Sequence, residues 1–590
     1  MHCFPSRSNR CLAWAGCALL LGLLACAAPG GERERRLRPN VLLVMTDDQG
    51  FGDYSHMGHG ALETPVLDRL AASCPQVERF YVSPVCSPTR ACLLTGRYNY
   101  RTRVVDTWIG RSMLEPEEVT LAEMLGSAGY ATGIFGKWHL GDCYPMRPMD
   151  QGFEESLVHL GGGLAQPSEP PANGRRYTDA LLYRNGEEVQ TQGYCTDVYF
   201  DAAMDFIEES AAAERPFFTY VATNAPHGPF HDVPEDLYGK YKALDVASTL
   251  PGKGEQADRE ARICAMLENI DQNLGRMLAG LEERGLLENT IVVFLSDNGP
   301  VPGRYNAGLR GFKTGVHEGG IRTPLYVSWG DRFDAETRVE PIAAHIDLLP
   351  TILDMTGVEP PAGSALDGRS LLPLLDGESV PWAKRRLFLQ SHRGDVPTAR
   401  HNFAAVGQRW KLLRASGFGR ATAPADAAFE LYDLLADPGE QRDLAAQQPA
   451  VLAQILADYD AWFADVSSTR PDNFAAPRIV LGSEHAPRTA LTRQDWRVTD
   501  TQGWSSNGVW KVSVPEAAEF DLHVNFSKDV SVDQLRFHTG TGVFERSVQA
   551  AGRSLDLGSV TCEDGSYDLR VECLLAGELV PLHQVILSRR

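Results

Sequence analysis

From residue 40 to about residue 385, the hydrophobic positions come in short, continuously apolar runs separated by stretches with helical spacing. The runs at 41–45, 131–135, 216–222, 290–295 and 324–329 predict strands covered on both faces, as in a parallel sheet. Between them, Thr64-Pro65 predicts an N-cap followed by proline at the first helical position, with Leu67, Leu70 and Ala71 on one face. Thr120 opens another helix with Leu121, Met124 and Leu125 inward, and 257–284 is a longer amphipathic stretch. Strands alternating with helices predict an α/β domain over residues 40–385, its mainly parallel sheet sandwiched by helices.

The pattern then changes twice. Over 386–477 the apolar runs shorten, the connections become turn-rich and a helical segment at 449–463 closes the region, which predicts a small α+β subdomain. Over 478–590 the runs alternate at period two, in Trp496-Arg497-Val498, 508–514, 520–524 and 567–571, and predict a separate β-sandwich accessory domain. Its Trp496, Trp504 and Trp510 either bind sugar or, as tryptophans in sandwiches more often do, pack the core.

At the other end, Arg7 and Arg10 precede an apolar run at 12–24 and then small residues. That layout predicts a signal peptide over 1–30, too short for a membrane span, followed by a charged linker over 31–39. Leu23-Leu24-Ala25-Cys26 resembles a lipobox, so two exported forms stand open: a periplasmic lipoprotein anchored to the membrane through Cys26, and a freely secreted protein. Export would place the later cysteines where disulfides persist; Cys562 and Cys573, flanking a short turn, could face each other across two strands, and sequence leaves the connectivity open.

Composition narrows this picture. At 590 residues, with 43% hydrophobic and 23% charged positions, the chain has the makings of one large core plus smaller ones and not of a disordered protein. The 77 acidic residues against 56 basic ones, a formal charge of −21, exclude sequence-independent binding of nucleic acid.

The candidate chemistry lies at strand ends. The run at 41–45 leads into Thr46-Asp47-Asp48, and that at 290–295 into Ser296-Asp297-Asn298. Ligands of open α/β sheets bind at the carboxyl ends of strands. Carboxylates converging there repel unless a cation lies between them, and oxygen ligands favour Ca2+ or Mg2+ over zinc. Either Asp pair alone would read as a strand-end turn or helix cap. The segment from Val85 through Cys86-Ser87-Pro88-Thr89-Arg90 to Gly96-Arg97 adds a helix with Cys86 in its first turn, where backbone amides favour an anion. Without more context, Cys86 is either an activated thiolate or a buried structural cysteine.

Taken together, Cys86-Ser87-Pro88-Thr89-Arg90, Thr95-Gly96-Arg97, Gly136-Lys137-Trp138-His139-Leu140-Gly141, Asn224-Ala225-Pro226-His227, Arg310-Gly311-Phe312-Lys313 and Leu431-Tyr432-Asp433-Leu434 resemble the type I sulfatases. These are formylglycine-dependent sulfate ester hydrolases of the alkaline phosphatase superfamily, and the resemblance spans residues 40–445. It implies an alkaline phosphatase-like fold and oxidation of Cys86 to formylglycine by a dedicated maturation enzyme. Hydrated to a gem-diol, that group would attack sulfur through one hydroxyl and expel sulfate as the other collapses to the aldehyde. The resemblance also implies that Asp47, Asp48, Asp297 and Asn298, with residue 86, hold Ca2+. Arg90 and His139 would hold the formylglycine, and Lys137, His227 and Lys313 the sulfate, with His227 or Lys313 protonating the leaving oxygen. The expected substrate is a sulfated carbohydrate, or an aryl sulfate in assay.

His56, His59, His159, His231 and His317 are weaker candidates for the pocket lining. Gly161-Gly162-Gly163, Arg175-Arg176-Tyr177 and 193–198 form the expected specificity region. Two rival readings are a phosphodiesterase or phosphonate monoester hydrolase of the same superfamily, and a non-catalytic glycan-binding lipoprotein.

Overall fold

The computed structural model describes residues 38–164, 166, 168–244, 255–382, 384–470, 472, 474–498 and 508–590. The expected signal peptide, the lipobox cysteine Cys26, most of the linker and Trp504 lie outside the described residues.

The catalytic part is built on an eight-stranded sheet. In chain order its strands are β1 (Asn40–Thr46), β2 (Ala131–Lys137), β3 (Glu155–His159), β4 (Leu181–Arg184), β5 (Glu187–Gln190), β6 (Phe217–Ala222), β7 (Thr290–Ser296) and β8 (Leu325–Trp329). They lie side by side as β8-β7-β1-β6-β2-β3-β4-β5. β7, β1, β6, β2 and β3 are parallel, while β8, β4 and β5 run antiparallel to their neighbours.

The continuously apolar sequence of β1 follows from its place in the middle of this sheet. Leu42 and Val44 point into one core, shared with Phe135, Val221, Phe294 and the helices Cys195–Ala212 and Glu255–Glu283. Val41, Leu43 and Met45 point into another, shared with Ile134, Tyr220, Val293 and Leu349. Burying such side chains contributes about 1.5–3 kcal/mol each, which favours the continuous apolar run from Val41 to Met45.

The helix predicted after Thr64 begins at Pro65, but Thr64 makes no side-chain cap. Asp271 on the long helix does this instead, its carboxylate accepting from the amides of Val66 at 3.1 Å and Leu67 at 2.8 Å. Thr120 does cap its helix, reciprocally with Glu123.

Beyond the catalytic part, a four-stranded antiparallel sheet runs Leu387–Gln390, Phe403–Val406, Trp410–Arg414 and Glu430–Asp433, with the helix Pro449–Val466 packed on it. The C-terminal part is β-rich. Its nine strands form one hydrogen-bonded array in which Ala518–His538 pairs along one edge with Val543–Cys562 and along the other with both Gln584–Arg589 and Gly565–Leu575.

Two readings of the sequence need correction there. The C-terminal part is not separate, because Met113, Cys143 and Met146 of the catalytic part share its core with Trp510, Phe520 and Leu535. Cys562 and Cys573 are both free. They pair with Ala518 and Leu535, near opposite ends of one long strand, so the turn between them does not bring them together. Trp496 and Trp510 are buried against each other at 5.8 Å between ring centroids, as core residues and not as a sugar platform.

Candidate active site

Four adjacent parallel strands deliver their carboxyl ends to one place. β1 ends in Asp47 and Asp48, β7 in Asp297 and Asn298, and β2 in Lys137 with His139 just beyond, while β6 leads to Asn224 and His227. The register is tight: Thr46 pairs with Ser296, and the amide of Asp297 donates to Thr46 O at 3.0 Å. Above these ends starts the helix α1 (Cys86–Thr95), terminated by Gly96 in the left-handed region as its sequence predicts. Every residue of α1 is buried, with Cys86 in its first turn beside Asp47 and Asp297.

The ionic order is regular. Lys137 Nζ lies 2.6 Å from Asp47 Oδ2, with both side chains wholly buried. Arg90 places NH2 2.8 Å from Asp297 Oδ2 and donates NH1 to Lys137 O at 2.8 Å. Lys313 Nζ is 2.5 Å from Asp48 Oδ1, which also accepts from Asn298 Nδ2 at 2.7 Å. His227 Nε2 stands 4.0 Å from the other oxygen of Asp48. Each carboxylate therefore has a cationic partner, as buried charges require.

These pairings show in the proton affinities. Burial pushes Asp297 up to about 6, helped by the charge of Asp47 and opposed by Arg90. Burial also acts to raise Asp48, yet Lys313 and His227 hold it well below the usual carboxylate range. Burial drives the Cys86 thiol up against the pull of Lys137 and Lys313. Burial, then Lys313, brings His227 down to about 4, and burial, then Lys137, takes His139 well below its ordinary value.

The donor set fits a hard cation. Asp47 Oδ1, Asp48 Oδ2 and Asn298 Oδ1 are buried acceptors without a hydrogen-bond partner among the described residues. One ligand atom each from Asp47, Cys86 and Asp297 lies within 4.8 Å of the others. Orphaned carboxylate and amide oxygens at these strand ends match the oxygen ligands that calcium or magnesium takes.

Local backbone strain is concentrated in the same place. Asp48, His139 and Thr314, next to Lys313, are non-glycine residues at φ of 67°, 60° and 70°. Each costs about 1–3 kcal/mol and persists only where surrounding structure enforces it. For Gly136 the reason for glycine is steric as well: a Cβ there would come within 2.0 Å of Ala222 O on β6.

A model of the Sulfatase family matches residues 39–358, and a second, described as N-sulphoglucosamine sulphohydrolase, C-terminal, matches residues 312–459. The chain belongs to the sulfatase family. It is a sulfuric ester hydrolase of the alkaline phosphatase superfamily, with the fold that the motif resemblance implied. The N-acetylgalactosamine-6-sulfatase of Canis lupus familiaris is 34% identical over 404 residues, covering 63% of this chain and 72% of that protein. Arylsulfatase A of Homo sapiens is 29% identical over 475 residues, covering 71% and 85%. The solved structure of Ps i-CgsB in complex with k-i-k-neocarrahexaose aligns with TM-score 0.64 and 25% identity over 73% of this chain and 94% of its own.

The structure of this sulfatase gathers Asp47, Asp48, Cys86, Arg90, Lys137, His139, His227, Asp297, Asn298 and Lys313 around the strand ends. It separates most of the weaker histidines from them. His56 bonds Asp68 and Tyr326, His59 faces Glu260, His317 meets Glu430, and His231 is exposed on a loop. Only His159 stays close, buried behind Lys137 and His227 and brought down to about 3 chiefly by that burial.

The glycine loop reaches the site as well: a Cβ on Gly162 would sit 2.5 Å from His139 Cε1, and one on Gly163 3.5 Å from His227 Nδ1. Tyr177 is fully buried and donates its hydroxyl to His227 O at 2.7 Å, so it supports a site residue and does not contact solvent. Two supporting residues carry no motif at all. Asn402 of the subdomain donates to Thr314 O at 3.2 Å, and Gln494 of the C-terminal part lies 3.1 Å from His139.

Proposed function

We propose that the protein is an exported, calcium-dependent sulfatase that hydrolyses sulfate esters on carbohydrate, with Cys86 as the precursor of its formylglycine nucleophile. The observation that carries the proposal is Cys86 buried at the start of α1, among the ion pairs of Asp47 with Lys137 and of Asp297 with Arg90 and near Lys313. Formylglycine at this position supplies a nucleophilic hydroxyl to sulfur, and calcium supplies positive charge to the sulfate and the nucleophile.

The chain's own residues do the rest. Asp47, Asp48 and Asn298 would hold the cation through the oxygens that lack donors, with Asp297 as the fourth ligand. Arg90, fixed by Asp297 and by Lys137 O, keeps residue 86 in place. Lys137 and Lys313 aim ammonium groups at the sulfate oxygens in a water-poor site, where such charges act strongly. His139 holds the nucleophile, and His227 or Lys313, the pair that shares Asp48, gives the leaving oxygen its proton. Cys86 is 4% exposed, so the maturation enzyme acts on it before the fold closes.

The similarity to an N-acetylgalactosamine-6-sulfatase and to a structure holding neocarrahexaose favours a sulfated sugar, recognised by the glycine loop. Among the described residues no helix is long and apolar enough to cross a membrane. Attachment, in this reading, would be through a lipid on Cys26, with free secretion as the alternative. The test is the purified protein's rate on nitrophenyl sulfate against nitrophenyl phosphate mono- and diesters. The sulfate should be preferred, and dominant diesterase activity would overturn the proposal.

A further inference from the structure

We propose that Gln494, carried by the C-terminal β-rich part, is a positioning residue that fixes the tautomer and orientation of His139; this rests on the reading that His139 acts at residue 86. Gln494 lies beyond both matched family segments, which end at residues 358 and 459.

His139 is 2% exposed and hangs from β2 on a left-handed backbone. Its Nε2 is 2.8 Å from Thr107 O. A carbonyl oxygen only accepts, so Nε2 carries the hydrogen; the other tautomer would face two lone pairs. Nδ1 is then bare, and it has no partner among the described residues. A bare nitrogen is the form that accepts a proton or a hydroxyl hydrogen bond. The ring therefore depends on where Thr107 O is held.

Thr107 lies on a loop without regular structure, and Gln494 holds that loop at three points. Gln494 Nε2 donates to Thr107 O at 2.7 Å and to Ser112 Oγ at 2.9 Å, and its backbone oxygen accepts from Gly110 at 2.9 Å. The amide thus shares the Thr107 carbonyl with His139; with its two hydrogens given to Thr107 and Ser112 it makes no bond to the ring nitrogen 3.1 Å away, and acts on the ring through that carbonyl.

Gln494 is itself rigidly mounted. Its amide nitrogen donates to Thr492 Oγ1 at 3.2 Å, and Thr492 O accepts from the buried indole of Trp510 at 2.8 Å. Next to it, Asp495 accepts from the amide of Asp142 at 3.1 Å, and Cys143 Sγ donates to Ala490 O at 3.3 Å. The C-terminal core therefore reaches the site through Trp510, Thr492, Gln494 and Thr107. Partners that orient metal-bound histidines in the same indirect way, when removed, change activity about 10–100-fold, which sets the scale for Gln494.

The experiment uses the full chain with Gln494→Leu, which keeps the bulk and removes both donors. Gln494→Met, of similar length and likewise without donors, is the second variant should the first fail to fold. The expected kcat falls about 10–100-fold on nitrophenyl sulfate with KM within about 2-fold, since Gln494 touches no substrate. The second readout is nitrogen NMR of histidine-labelled protein. Native His139 should show a single tautomer protonated at Nε2, and the variants a mixture. This signal does not need turnover or conversion of Cys86, so an inactive native protein would fail the sulfatase reading while leaving this inference testable. An unchanged kcat overturns the proposal. So does a lowered kcat with the His139 tautomer unchanged, which would assign Gln494 a merely structural role.

Discussion

Replacing Lys137 by methionine removes one ammonium and keeps a side chain of similar length. In the native protein that ammonium is 2.6 Å from Asp47 Oδ2, and neither side chain is exposed. A surface pair would cost at most about 1 kcal/mol to break. Removing one partner of a buried pair costs about 3–5 kcal/mol, because the remaining charge has neither water nor a counter-ion. Asp47, however, is also a proposed calcium ligand, with a second oxygen that has no donor. Calcium should therefore take over the neutralisation, and with no ammonium competing for Asp47 the variant should bind it more tightly than the native protein does; a gain in affinity of about 100-fold would recover about 2.7 kcal/mol of the loss.

The assay is unfolding of the native protein and Lys137→Met, each in chelator and in excess calcium, with sulfatase activity measured alongside. In chelator the variant should lose about 3–5 kcal/mol, and in calcium at least half of that loss should be recovered, with activity low throughout. A loss of equal size in both conditions would refute the reasoning, since no cation would then share Asp47. A loss below about 1 kcal/mol would refute the claim that the pair is buried and unsolvated.

Other predictions follow from the same physics. Lys411 is wholly buried between Glu318 at 2.9 Å and Glu440 at 2.8 Å, so Lys411→Met should cost about 3–5 kcal/mol by denaturant unfolding in calcium and chelator alike, in contrast to Lys137→Met. Burial holds Asp142 up at about 6 and raises Asp495 beside it, where the C-terminal part meets the catalytic part. A carboxyl whose folded value lies above its unfolded one stabilises at low pH and loses that contribution as pH rises through the folded value. Melting should therefore show a loss of about 2–3 kcal/mol between pH 4 and 7 that Asp495→Asn reduces; an unchanged slope would remove the pair from the account. Of Lys313→Ala and His227→Ala, at least one should slow a sugar sulfate ester, a poor leaving group, about 10-fold more than nitrophenyl sulfate. Equal losses on both substrates from both variants would exclude both residues as the acid.

Much of the site was legible because its residues sit at strand ends and within one helix turn, where apolar runs stop at charged positions. Asp47 and Asp297 each follow a fully buried strand and Lys137 ends one, and Cys86-Ser87-Pro88-Thr89-Arg90 opens a helix that Gly96 closes. Gln494 and Asn402 were not legible. Each acts through a hydrogen bond to a distant backbone carbonyl, and such a bond needs only an amide in the right place, which leaves no spacing to read. The long strand Val543–Cys562 escaped prediction for a different reason: it is largely exposed, so it lacks the apolar alternation that marked its neighbours. The Thr64 cap failed because Asp271, far along the chain, reached the helix amides instead. The pairing open to Cys562 and Cys573 failed because sequence proximity says nothing about which part of the long partner strand each one meets.

The central claim is that the nucleophile is made from Cys86, and mass spectrometry of the tryptic peptide spanning residues 80–90, taken from protein made in its native host, tests it most directly. The account predicts a peptide lighter by the difference between a thiol and an aldehyde, in proportion to sulfatase activity, and no activity from Cys86→Ala. A wholly unmodified thiol in a fully active preparation would contradict it.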